Sequence, residues 1–480
     1  MQNKNHGKEK RVLFLNPPSF GGFDGAAGAR YQARREIRSF WYPVWLAVPA
    51  GMIEGSKLID APPANIGVEE VVKQCAGFGL IVMYTSTPGF SNDCRVAGLI
   101  KEAWPGVVIG MVGPHVMTLP EETLRACPAI DFVCTGEFDY TIKELAQGQK
   151  LEDTDGVAYL SGGEFRRTTD RPPVSDLDAL PYATPIYARD LKIEHYFNGY
   201  LEHPYMAIYA GRGCKARCTF CLWPQTIGGR NYRTRSVDNV CREVEQAKGL
   251  FPQVREWFFD DDTFTGDLAR VEAIAKRIGP LGLKWSANAR ANVPLETLSI
   301  MKENGLNLLT VGFESGNQQI LNNVKKGITV EGAKRFMADT KRLGIKVHAA
   351  FILGLPGETA ETIENTIRYA IELDPYSIQV SLPAPYPGTE LYEQAIKEGW
   401  LKKSDLVDGG IQSAVLQYPH LSGDAVFNAV ERFYKRFYMR PKPILRIVKE
   451  MLVDRHTFAR RTREGLEFFS FMARRKETAG

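Results

Sequence analysis

Nowhere in this 480-residue chain does an apolar run approach the length needed to span a bilayer. The eight cysteines show no repeated paired spacing, which argues against a disulfide framework and for a reducing cytosol. No G-x-G-x-x-G follows the first apolar strand, so a nicotinamide or flavin dinucleotide does not suit the amino-terminal half. Neither sign of charge dominates. The 60 Lys and Arg stand against 56 Asp and Glu, and 44% hydrophobic content is that of a globular protein with length for two or three domains. The polar stretch Met1–Lys8 leads directly into a strand and carries no secretory signal.

What the sequence does contain is the loop Gly211-Arg212-Gly213-Cys214-Lys215-Ala216-Arg217-Cys218-Thr219-Phe220-Cys221, a C-x3-C-x2-C spacing just after the apolar stretch Tyr205–Ala210. Three such thiolates suit three irons of a cubic iron–sulfur cluster, and the flanking glycines let backbone amides turn toward the sulfur charge. One iron is then left without a protein ligand, open to a substrate. A zinc site or a disulfide pair is the competing reading, but no second ligand pair exists. Cys241, in the amphipathic stretch 237–250, reads as a small buried apolar residue.

With Phe220 before its last cysteine, the loop resembles the signature of the radical S-adenosylmethionine superfamily. The resemblance implies a catalytic 4Fe–4S cluster on Cys214, Cys218 and Cys221, with Phe220 beside it and the open iron chelating the methionine amino and carboxylate groups. Reduction by a flavodoxin or ferredoxin would release a 5′-deoxyadenosyl radical.

Residues 1–150 read as five β-branched runs alternating with helices, an α/β doubly wound, Rossmann-like parallel sheet. Its strand ends, where ligands of such folds bind, are Asn16-Pro17-Pro18, Asp60-Ala61-Pro62, Thr85-Ser86-Thr87, Gly113-Pro114-His115 and Thr135-Gly136-Glu137. Before a radical core, this layout resembles a cobalamin-binding domain. The D-x-H-x-x-G position reads Asp60-Ala61-Pro62-Pro63-Ala64-Asn65, so any cobalamin would be held without a histidine lower ligand. A domain that kept the fold and lost the cofactor is the alternative. Residues 151–203 read as a linker containing a short hairpin, 156–167.

From 204 to 395 six strand–helix units suit a partial (β/α)6 TIM-like barrel, with its chemistry after each strand. Asp260, Asp261 and Asp262 follow the second strand as a cluster expected to point into the barrel mouth and to need cationic or hydrogen-bond-donating partners. Asn288 and Arg290 stand two apart after the third, where Arg290 can grip a carboxylate. The resemblance places the acidic cluster against the methionine ammonium, Glu314 at the ribose, and the turn containing Gly354 and Pro356 beside adenine. Tyr386, Cys134 and Cys94 are candidate radical quenchers by chemistry alone.

The region 396–480 is helical, and its last fifty residues hold fourteen Lys or Arg against six Asp or Glu, interleaved with aromatics. Peripheral contact with an anionic inner leaflet, nucleic-acid binding and a helical cap on the barrel are its three readings. The whole layout most resembles the hopanoid-associated branch of the cobalamin-domain radical enzymes. For that branch the implied reaction contracts the glucosamine head group of a bacteriohopanetetrol lipid into a cyclopentane cyclitol ether. The alternatives are a cobalamin-dependent radical methylase acting on a lipid or other unactivated carbon, an RNA-modifying radical enzyme, and a non-catalytic corrinoid-binding protein.

Overall fold

The computed structural model describes residues 10–20, 37, 39–401, 415–453 and 455–478. The leader Met1–Lys8 and the stretch 402–414 of the expected tail lie outside the described residues.

The first sheet contains β1 (Val12–Asn16), β2 (Lys57–Asp60), β3 (Leu80–Tyr84), β4 (Val108–Val112), β5 (Phe132–Cys134), β6 (Val157–Ser161) and β7 (Glu164–Arg167). Their order is β2-β1-β3-β4-β5-β6-β7, and the first five are parallel. The strands are apolar on both faces because helices cover both. Val12 and Phe14 enter a core that continues into the second domain, while Leu13 and Leu15 enter a separate core beneath the helices Val68–Gln74 and Phe90–Ala103. The hairpin expected in the linker is instead the antiparallel edge of this sheet: β6 pairs with β5. The winding reverses between β1 and β3, which opens a crevice at their carboxyl ends.

The second sheet is all parallel in the order β15-β14-β13-β12-β11-β8. It is built from β8 (Tyr205–Ile208), β11 (Glu256–Phe259), β12 (Trp285–Ala289), β13 (Leu306–Glu314), β14 (Lys346–Ile352) and β15 (Ser377–Ser381). A two-stranded ribbon of β9 (Gly211–Arg212) and β10 (Arg233–Thr234) carries the start of the thiol loop. This is the expected open six-stranded barrel. Ser236, Asp267, Thr329 and Thr359 start its helices as N-caps, each side chain accepting from a backbone N–H in the first turn. Trp285, Phe258 and Phe259 are fully buried on its strands, Phe258 and Phe259 on opposite faces of the sheet, and Cys241 is buried as a core residue.

The two domains are locked together by side chains. Tyr42 Oη donates to the Tyr205 carbonyl at 2.8 Å, and Tyr205 Oη donates to the Phe40 carbonyl at 2.7 Å. The tail helix Gly423–Tyr438 lays Val430, Phe433 and Phe437 on the barrel, where the Tyr434 hydroxyl accepts from Val380 N at 2.8 Å. The cap reading therefore holds for this helix. Among the described residues no helix is long and apolar enough to cross a membrane.

Candidate active site

The thiol loop is a folded device. At Gly213 (φ +90°) any Cβ would lie 2.4 Å from the Asn231 carbonyl, so only glycine admits the turn into Cys214. The Gln225 side-chain amide donates to three carbonyls of the loop, those of Cys218 (3.4 Å), Thr219 (3.1 Å) and Cys221 (2.8 Å). Its oxygen accepts from Glu390 N at 3.0 Å, which ties the loop to the start of the helix Glu390–Lys397. Cys214 and Cys218 are buried, Cys221 is half-buried, and Cys214 Sγ lies 3.2 Å from Thr263 Oγ1. No disulfide joins any of the eight cysteines, and among the described residues no three His, Cys, Asp or Glu side chains converge on a single ion.

The structure brings the other expected residues to the same end of the barrel, with roles that differ from residue to residue. Asp260 accepts from Tyr209 Oη at 2.6 Å and from Asn288 Nδ2 at 2.9 Å. Asp261 is fully buried, accepting from Ala210 N and Tyr232 Oη, both at 2.6 Å. Burial pushes its carboxyl up to about 6, although Arg270 and the Tyr232 hydroxyl oppose the shift. The cluster does find its donors, but the expectation that all three carboxylates face the mouth is corrected: Asp261 braces the strand ends. Asp262 is half-buried and lines a cavity of about 60 Å³ between the domains with Trp45, Arg212 and Trp223.

Glu314 sits at a register break in β13 with φ +63° and forms a 2.6 Å ion pair with Lys326. Burial alone would lower the lysine pKa, yet Glu314 and the Cys218 sulfur outweigh it and hold the ammonium charged. Lys326 thus brings a buried positive charge to the thiol loop. The guanidinium of Arg290 donates to the Lys326 carbonyl, joining Arg290, Lys326 and Glu314 in one connected group. Phe220 is half-buried against Ile320, Val324 and Leu355. After β14, Glu358 accepts from Gly354 N and, at 3.2 Å, from Leu355 N, so the turn holding Gly354 and Pro356 is shaped by its own carboxyl. Tyr386 and Cys134 are core side chains, and Cys94 lies against Cys127.

Gln225, Lys326, Tyr232 and Arg212 were not anticipated. Arg212, two residues before Cys214, binds Asp139 through both carboxylate oxygens (2.7 and 3.1 Å), and its guanidinium stacks 4.5 Å above Trp45. Arg233 pairs with Glu137. Glu137 is therefore not free to meet a ligand at its strand end, as the sequence had suggested. It clamps the carboxyl end of the first sheet onto the thiol loop.

The crevice at β1, β3 and β4 is polar and mostly uncharged. Gly113 has φ +117°, and a Cβ there would lie 2.4 Å from the Thr85 carbonyl. His115 is buried, stacks on Phe90 at 4.5 Å and lies 3.1 Å from Thr87 Oγ1; burial pushes it down to about 4, so it is neutral. Asp60 accepts from Asn16 Nδ2 and Tyr196 Oη, both at 2.6 Å, and is fully engaged. Hydroxyls, amides and a glycine floor fit a flat, amide-rimmed ligand, held without help from the Asp60 position.

A three-thiol loop at a barrel mouth, clamped to the ligand end of a doubly wound domain, defines an enzyme of radical chemistry with two cofactor sites. Family models agree: residues 208–370 match the radical SAM superfamily and residues 33–146 a B12 binding domain. The chain is 31% identical to an uncharacterized methyltransferase of Pyrococcus horikoshii, covering 92% of this chain and 95% of that protein. It is 26% identical to an anaerobic magnesium-protoporphyrin IX monomethyl ester cyclase of Rubrivivax gelatinosus, over 89% and 77%. More distantly, it is 27% identical to a hopanoid C-3 methylase of Methylococcus capsulatus, over 57% and 51%. The fold matches that of the radical methyltransferase TsrM from Kitasatospora setae, solved with cobalamin and a 4Fe–4S cluster, at TM-score 0.64 and 15% identity, over 82% of this chain and 75% of that one. The chain belongs to the radical SAM superfamily, in the group that also carries a B12 binding domain. It is an enzyme whose cofactors are a 4Fe–4S cluster, S-adenosylmethionine and cobalamin.

Proposed function

We propose that this enzyme transfers a methyl group from S-adenosylmethionine to an unactivated carbon of a small molecule. The observation that carries the reading is the clamp Arg212–Asp139 and Arg233–Glu137, which fixes the ligand end of the B12 domain against the thiol loop. The similarity over nearly the whole chain to a relative named as a methyltransferase supports it. When bound, the cluster supplies one-electron cleavage of the sulfonium and cobalamin a methyl carrier. In this reading Cys214, Cys218 and Cys221 hold the cluster, and Lys326 offsets its negative charge. Asp260, steadied by Tyr209 and Asn288, and Asp262 receive the methionine ammonium. Arg290 and Glu314 orient the rest of the cosubstrate, and Gly354 and Pro356 form the adenine turn.

Ring contraction of an aminosugar hopanoid, the leading expectation from the overall resemblance, gives way to this alternative. The hopanoid relative is a methylase and aligns over little more than half the chain.

The test is anaerobic reconstitution with iron, sulfide, cobalamin, a reductant and S-adenosylmethionine, with and without a small-molecule and lipid extract as methyl acceptor, followed by mass spectrometry of the nucleosides and of the extract. Methyl transfer requires S-adenosylhomocysteine and 5′-deoxyadenosine to rise together with a product heavier by one methylene. 5′-Deoxyadenosine alone, with an unmethylated product, would overturn it in favour of a cyclase-type reaction.

A further inference from the structure

Apolar surface on this molecule collects at its carboxyl end. Nine of the thirteen large apolar side chains standing exposed among the described residues lie at or beyond Met439. In the helix Pro441–Met451 and its C-cap, Ile444, Leu445, Val448 and Leu452 follow one another at helical spacing on one face, with Leu445 58% and Leu452 80% exposed. Ile444 and Val448 of this stripe also border a cavity of about 370 Å³, lined mainly by apolar and aromatic side chains that include Ile378, Tyr438, Ile447 and Phe468. Beside it lies a second cavity of about 400 Å³ lined by Arg255, Arg455, Arg460, Arg463, His203 and Glu202, with Arg460 also 3.7 Å from Glu464 and Arg463 4.0 Å over the Phe197 ring. The first cavity reaches Ser377 and His348 at the amino ends of β15 and β14, the opposite end of the barrel from the thiols.

We propose that the last two helices dock the enzyme on an anionic lipid bilayer, with Ile444, Leu445, Val448 and Leu452 entering the acyl boundary while Lys449, Arg455 and Arg463 meet headgroup phosphates. An aliphatic stripe bordered by cations is the pattern of an interfacial helix. RNA would satisfy the arginines but leave Leu445 and Leu452 in water. A second copy packed face to face would set the arginine cluster against itself. Docking in this way leaves the barrel mouth turned to the aqueous phase, and it holds whatever reaction the thiol loop supports.

Sedimentation of the full-length, cluster-loaded enzyme with vesicles tests the assignment. Vesicles containing phosphatidylglycerol should bind it, pure phosphatidylcholine vesicles should bind it far less, and salt should weaken the binding. Leu445→Glu with Leu452→Glu should weaken partitioning at least about tenfold, since each leucine contributes by entering the apolar layer. Lys449→Glu with Arg455→Glu should do the same through charge. Both pairs are exposed, so thermal unfolding should not move. No binding to anionic vesicles overturns the proposal. So does binding that the leucine pair leaves unchanged, because the attraction would then be that of any polyanion, RNA included. A dimer in vesicle-free solution that the leucine pair converts to monomer would assign the face to a second copy and equally overturn it.

Discussion

Arg212 and Asp139 meet through two parallel hydrogen bonds, and they join the residue two before the first thiol of the loop to the first turn of the helix that follows β5. Both side chains are nearly inaccessible, and Trp45 covers the guanidinium. A planar, bidentate contact of this kind fixes orientation as well as distance. The relation between the two domains' ligand ends therefore rests on this pair together with Arg233–Glu137.

Arg212→Lys keeps the charge and loses the second hydrogen bond. S-adenosylhomocysteine formation should fall roughly tenfold, in line with a lost charge-assisted bond, while 5′-deoxyadenosine formation, which needs only the barrel's own site, should change little. Product ratios by mass spectrometry read this directly. Equal loss of both nucleosides would place the effect on the loop itself.

Gln225→Leu should leave the three thiols in place but free the loop carbonyls that the amide holds. A hydrogen bond is worth about 1 kcal/mol, so iron release to a chelator should quicken by roughly tenfold or more. Cluster loss no faster than in the unaltered enzyme would show that the amide is incidental.

Cys218→Ala removes the thiol that faces Lys326. It should abolish S-adenosylmethionine cleavage outright and leave a folded protein, because the position is one buried side chain on a loop supported by Gly213 and Gln225. Retained cleavage would refute the cluster assignment.

How much of this was legible beforehand follows from the range of each interaction. The thiol loop is a local spacing, and the amphipathic stretch 237–250 is the helix observed at those bounds because caps and apolar periodicity are local too. The hairpin β6–β7 was misassigned to the linker since nothing within it names its partner β5. Lys326 lies in a Lys325-Lys326-Gly327 stretch that no local pattern links to the thiol loop. Only the fold brings it to Glu314, twelve residues back, and to the thiol loop. Arg212 was visible as part of the loop but not as a clamp, because Asp139 belongs to another domain. The tail's composition showed its two characters, yet which apolar residues it buries on the barrel and which it leaves exposed required coordinates.

Glu358 provides a prediction whose sign can be worked out. Its carboxyl is fully buried beneath the Gly354 turn, and burial pushes its pKa up to about 8, the Gly354 and Leu355 amides opposing the shift. The folded protein thus keeps a proton that the unfolded chain releases above its ordinary value near 4.5. Below that value both states hold the proton and the group adds no pH dependence. Between about 4.5 and 8 the unfolded state is progressively favoured as pH rises, and above about 8 the difference is constant. Glu358→Gln mimics the protonated acid and removes this slope. The thermal midpoint of the variant relative to the unaltered protein should therefore climb steadily from pH 5 to pH 8 and then level off. Scanning calorimetry of both proteins across that range decides it: curves that stay parallel would mean that Glu358 ionises as easily in the folded protein as in the unfolded chain.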